Sequence, residues 1–188
     1  MSNAAIRQAN RRRTHRRQWL TAVGALFAIG AGTAAAVVLA SGPSDSGGRK
    51  IERTGEVNAM GLPVIATSGS ADGVAVAAGL TATPASWALG RVPLDVAVRP
   101  TWHLSNSGDE VVTIGEPHVQ INLGCCPGAF SVNGPSTLNP ADSTDLGFEL
   151  AMHPGMDGPH DMTIHVPVQH ADGSIETLTL GVSGDFRD

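Results

Sequence analysis

From residue 85 onward apolar side chains recur at every second position, the period of a β-strand with one buried and one wet face. Val96, Val98, Trp102 and Leu104 alternate with Asp95, Ala97, Arg99, Thr101 and His103, with Pro100 predicting an edge or a bend. Leu146, Phe148, Leu150 and Met152 repeat the pattern, and so do Met162, Ile164, Val166 and Val168 and, beyond them, Leu178, Leu180 and Val182. Val111 to Ile114 and His118 to Leu123 predict shorter strands. Asn106-Ser107-Gly108-Asp109 and Asp172-Gly173 supply turns, the second of them a hairpin signal. About seven short strands with no soluble helix predict an all-β domain, an antiparallel β-sandwich.

What precedes that domain has a different character. Trp19 to Ala40 is a run of 22 residues without a charge, and as a helix it would measure about 33 Å, enough to cross a bilayer. Six arginines (Arg7, Arg11, Arg12, Arg13, Arg16 and Arg17) stand before it. The positive-inside rule then places residues 1–18 in the cytoplasm, 19–40 in the membrane as a transmembrane helix or signal anchor, and the remainder outside the cell membrane. Cleavage after Val38-Leu39-Ala40 and twin-arginine export through Arg16-Arg17 are the competing fates of this segment. Residues 41–84 are rich in Gly, Ser and Ala and predict a flexible linker, which would span about 35 Å. The β domain is expected over 85–185.

With the six arginines set apart, 6 basic residues face 17 acidic ones, a net charge of −11. Such a domain repels phosphate backbones, so no nucleic-acid partner is expected. Enzymatic signatures are missing as well: no Gly-rich phosphate loop, Gly-x-Ser-x-Gly elbow, His-Glu-x-x-His or Cys-x-x-Cys is present. The chain is therefore not expected to be an enzyme.

The chemistry lies in two loops. Both cysteines of the chain, Cys125 and Cys126, sit side by side in Leu123-Gly124-Cys125-Cys126-Pro127-Gly128. Ordinary disulfide geometry wants Cα atoms about 5.5–6 Å apart, whereas neighbours are held near 3.8 Å. Outside the cytoplasm two free thiols are expected to be buried, redox-active or bound to a metal. The second loop carries Met152, His153, Met156 and His160 within nine residues broken by Pro and Gly. Thiolate, thioether and imidazole together select soft ions, Cu(I) first, with zinc as another candidate, and disfavour Mg²⁺ and Ca²⁺. A sandwich gathers loops from different strand pairs at one end, so the two segments can meet. Met152 is in phase with Leu146, Phe148 and Leu150 and so has a core reading too. His103 and His165 fall on wet strand faces, and His118 and His170 border turns.

Leu89-Gly90-Arg91-Val92-Pro93-Leu94, Trp102 to Asp109, Val112 to Ile114, Cys125-Cys126, Leu138-Asn139-Pro140 and Leu178 to Gly184 follow one another in an order that resembles the bacterial Ig-like domains related to the Hydin and major-sperm-protein group. That resemblance covers about half the chain and implies an Ig-like sandwich. The sequence departs from the family pattern in having adjacent cysteines in place of Cys-Gly-Cys, and in the long Met152 to His160 loop. Together these features predict a membrane-anchored extracytoplasmic copper-binding protein that delivers its ion to a membrane enzyme such as a copper oxidase, or sequesters it. The alternative is a metal-free Ig-like accessory subunit of a membrane or envelope complex.

Overall fold

The computed structural model describes residues 51–188, all of which belong to one compact unit. Among the described residues there is no helix, and none long and apolar enough to cross a membrane. The basic segment and the apolar run at 19–40 lie outside them.

The first five strands are β1 (Arg53–Val57), β2 (Pro63–Ile65), β3 (Ser70–Asp72), β4 (Ala75–Ala77) and β5 (Leu80–Thr83). They correct the expectation of a linker through residue 84. Leu80 and Ala82 are fully buried and Val64 and Ile65 nearly so, so this Ala- and Gly-rich stretch is structural from residue 53 onward. Its small side chains suit strands packed close to their neighbours.

The chain continues with β6 (Ser86–Val92), β7 (Ala97–Val98), β8 (Thr101–Asn106), β9 (Val112–Ile114), β10 (His118–Leu123), β11 (Phe130–Asn133), β12 (Thr137–Leu138), β13 (Ser143–Phe148) and β14 (Leu150–Ala151). It closes with the long pair β15 (Gly158–His170) and β16 (Ile175–Phe186). There are thus more strands than the seven expected, because bends and left-handed residues divide the runs: Asp95 and Ala141 join the glycines in having positive φ.

A seven-stranded sheet runs in the order β12-β9-β15-β16-β6-β3, with β10 also paired to β15, and a five-stranded sheet runs β11-β13-β8-β5-β4. A smaller sheet has the order β1-β2-β7-β14. Pairings are antiparallel except β16 with β6 and β2 with β7. Trp102 and Leu104 of β8 and Leu146 and Phe148 of β13 share one core with Met162, Ile164, Val166 and Val168 of β15 and Leu178, Leu180 and Val182 of β16. The two larger sheets therefore enclose a common apolar layer, as the two-residue period predicts.

The Asn106-Ser107-Gly108 turn is anchored by a buried amide. Asn106 Nδ2 donates to Glu110 O at 2.8 Å and Leu138 O at 3.0 Å, while its Oδ1 accepts from Gly108 N at 3.0 Å. Asn106 itself has zero exposure, so its amide depends on these backbone groups, not on water, for its hydrogen bonds.

The structural role of the 51–84 segment has a direct test. Leu80→Ala is expected to cost about 2–5 kcal/mol in urea unfolding, whereas Val76→Ala on the exposed side of β4 should stay within about 0.5 kcal/mol. Equal, small effects would return the segment to the status of a linker.

Candidate functional site

β10 ends at Leu123 with a register shift between Ile121 and Leu123 against β15. The chain then turns at Gly124, whose φ of +87° is a left-handed conformation suited to glycine. A Cβ here would lie 2.3 Å from Cδ2 of His160, so the imidazole rests directly on the Gly124 α-carbon. Cys125 is half-buried and Cys126 exposed, and both thiols are free. Cys126 Sγ is 2.8 Å from Cys125 Sγ in a sulfur–sulfur hydrogen bond. Cys126 takes φ +57°, costly for a residue with a side chain. The hydrogen bond with Cys126, slight desolvation and repulsion from the neighbouring sulfur hold the Cys125 thiol above its ordinary value.

The far end of the cysteine segment is pinned too. Gly128 passes so close to the backbone of Glu149 that a Cβ would overlap its carbonyl, and Glu149 N donates to Ala129 O at 2.9 Å. Glu149 Oε1 accepts from Asn58 Nδ2 at 2.9 Å, and Oε2 from Arg99 Nε at 2.8 Å. Arg99 also reaches Glu56 at 2.6 Å. The hydrogen bond to Glu149, followed by the charges of both carboxylates, outweighs desolvation and raises the Arg99 guanidinium above its ordinary value. Glu149 and His160 flank the Met/His loop on either side. The roots of the two segments predicted to meet therefore lie side by side.

The six candidate ligands have different fates. Met152 is fully buried in the apolar core, and its carbonyl accepts from Asp95 N at 2.8 Å. His153 faces outward, with Nδ1 3.0 Å from Asp95 Oδ1. Met156 is half-buried and packs on the core. His160 is not in the loop but inside β15, 5% exposed. Its Nδ1 lies 3.1 Å from Gly158 O, and its ring meets Phe186 edge-on at a centroid distance of 5.1 Å.

The Nε2 of His160 is buried without a hydrogen-bond partner, as are Trp102 Nε1 and Thr144 Oγ1. The alternation of Met162, Ile164 and Val166 extends back to position 160 and could have announced this burial. Among the described residues, no three His, Cys, Asp or Glu side chains are grouped closely enough to hold a metal ion. The structure thus joins Cys125 to Cys126 and Gly124 to His160, and directs His153 to Asp95.

Of the other histidines, His103 pairs with Asp145 at 2.8 Å and His170 with Glu176 at 3.3 Å. His118 stacks on His165.

No protein-family model matches this sequence, and no curated protein matches it. Among solved structures it is similar over 57% of its length to the secreted serine protease VesC from Vibrio cholerae, at 14% identity and a TM-score of 0.43, spanning 23% of that chain. The PapD-like domain 7 of human CEP192 is matched over the same share of this chain and 84% of its own, at 13% identity and a TM-score of 0.44. The Vibrio cholerae VesB protease is matched at 15% identity and a TM-score of 0.42, over 32% of that chain. These likenesses are too slight to assign a family or an activity.

Two measurements probe this geometry. Gly124→Ala should cost about 1–3 kcal/mol in thermal or urea unfolding, because φ is positive and the His160 ring occupies the space of the new methyl. Alkylation of Cys125 should rise with pH through a midpoint above that of an ordinary thiol, and Cys126→Ser should move the midpoint down by removing both the hydrogen bond and the second sulfur. An unmoved midpoint would show that the two thiols ionise independently.

Proposed function

We propose that this chain is a membrane-anchored, extracytoplasmic protein with an Ig-like β-sandwich that binds a soft metal ion, foremost Cu(I), through Cys125 and Cys126. The carrying observation is the adjacent pair of free thiols, 2.8 Å apart, on a turn seated against His160 with its unpartnered Nε2. A buried imidazole nitrogen without a partner forfeits a hydrogen bond, a cost that a ligand could offset.

The sulfur pair is the core of the site, and the nearby loop supplies supplementary donors. His160, buried against Gly124 and Phe186, would have to turn its ring to direct Nε2 at the sulfurs. Met156 gains a second task besides packing if its thioether caps the ion, and His153 must leave Asp95 to take part. Met152, buried in the core, is best kept as support for the loop. Two adjacent thiols with thioethers in the neighbouring loop suit Cu(I) better than zinc, whose structural sites call for four ligands.

Anchoring by the apolar run at 19–40 would hold this site near the outer face of the membrane, where delivery to a membrane copper enzyme and sequestration are both chemically sensible. The sequence resemblance to Ig-like domains of the Hydin and major-sperm-protein group belongs to the same reading. A metal-free accessory subunit is the second reading, favoured by the exposed Ile121 and Leu123 on β10, at the border of the seven-stranded sheet.

Full-length protein in detergent, reduced and anaerobic, should take up Cu(I) against a calibrated chelator, with Zn²⁺ as the control. Replacing both cysteines by serine should weaken Cu(I) binding at least about a hundredfold, equivalent to ~2.7 kcal/mol. Met156→Leu keeps the packing volume and should cost about tenfold through loss of the thioether alone. Affinity unchanged in the double serine variant would overturn the site and favour the accessory-subunit reading.

A further inference from the structure

We propose that His118 and His165 form a second metal site, built on nitrogen and suited to borderline dications such as Cu(II), Zn(II) and Ni(II). They are directly opposed in the antiparallel pairing of β10 with β15. Opposed residues of adjacent strands project from the same face of a sheet with Cβ atoms about 4.5–5.5 Å apart, a spacing from which two imidazoles can reach one ion. Their rings already meet, with centroids 5.0 Å apart and planes 21° from parallel. His118 is exposed and His165 half-buried, so a side-chain rotation that points one nitrogen of each ring at a shared ion gives up the stacking contact and, at most, one long exposed hydrogen bond from His165 to Gln120.

The remaining contacts favour coordination over other uses of these rings. Among the described residues, His103, His153 and His170 each lie against a carboxylate and His160 is buried, whereas His118 and His165 have no carboxylate partner. His165 Nε2 lies 3.3 Å from Gln120 Oε1. An amide oxygen is an acceptor only, so this contact assigns the proton to Nε2 and leaves the Nδ1 lone pair available, the arrangement that orients metal-binding histidines. Gln120 is two residues from His118 on the same face and adds an oxygen donor nearby. Nitrogen donors accept borderline dications where the thiols of the other loop select a soft monovalent ion. The two sites are also separate in space: His118 opens β10 and Leu123 closes it, five residues on and roughly 17 Å along the extended strand, before the turn that carries the thiols.

The test uses full-length protein in detergent carrying Cys125→Ser and Cys126→Ser, in air, so that it is independent of the thiol site. Titration with Cu(II) sulfate, followed by electron paramagnetic resonance, should give an equimolar signal with hyperfine splitting from two nitrogens. His118→Gln and His165→Gln should each weaken binding at least tenfold and leave one nitrogen or none. Circular dichroism should be unchanged, since both rings lie outside the core. Affinity and splitting unaltered by either substitution, or no two-nitrogen signal in the parent protein, would overturn the proposal. Loss of Cu(I) binding in the serine background with Cu(II) binding retained would separate this site from the thiol site.

Discussion

The packing of Met162, Ile164, Val166 and Val168 beside Leu178, Leu180 and Val182 is the interaction on which the rest of the molecule hangs. These residues stand on neighbouring strands in one continuous register, from Gly158 opposite Phe186 to Gln169 opposite Ile175. A slip of one residue would turn the whole apolar row to water, so the register is strongly specified. β9 and β10 pair along β15 and β6 along β16, and β10 delivers the cysteines. The position of the thiols is therefore an outcome of hydrophobic burial some distance away. His160 lies on the same ladder, opposite Gly184, which explains how a titratable ring comes to be buried beside a solvent-exposed turn.

Strands with bulky residues at alternate positions were legible from the residues alone. β8, β13, β15 and β16 have this character, and their expected inward residues, among them Trp102, Leu146 and Phe148, are buried. The stretch before residue 85 was not legible because apolar burial there is carried by just Val64, Ile65, Leu80 and Ala82, in strands of three to five residues. In β5 the alternation lasts for just Leu80 and Ala82, too short to distinguish from low-complexity sequence. Pairing with β8 makes it a strand, and no local pattern encodes that partner.

At the candidate site, adjacency of the cysteines is covalent and so could not be missed. Convergence with the Met/His loop was an argument from sandwich geometry; the contacts present are those of Gly124 with His160 and of Gly128 with Glu149. What remained hidden was the competition between packing and ligation for the same side chains. Met152 continues the inward phase of β13, and Met156 folds back onto the core, because a thioether is apolar enough to be buried and soft enough to bind copper. Composition leaves these uses open; three-dimensional neighbours separate them residue by residue.

The Glu149 junction ties the exit of the cysteine segment to the first strand. The carboxylate of Glu149 receives Asn58 and Arg99, Arg99 reaches back to Glu56 in β1, and the backbone of Glu149 bonds to Ala129. The Arg99–Glu56 link is exposed, so dissolved salt screens it. The other end of the segment, where Gly124 lies against the buried ring of His160, is fixed by packing and is indifferent to ionic strength. The two ends of one short turn thus answer to different solution conditions.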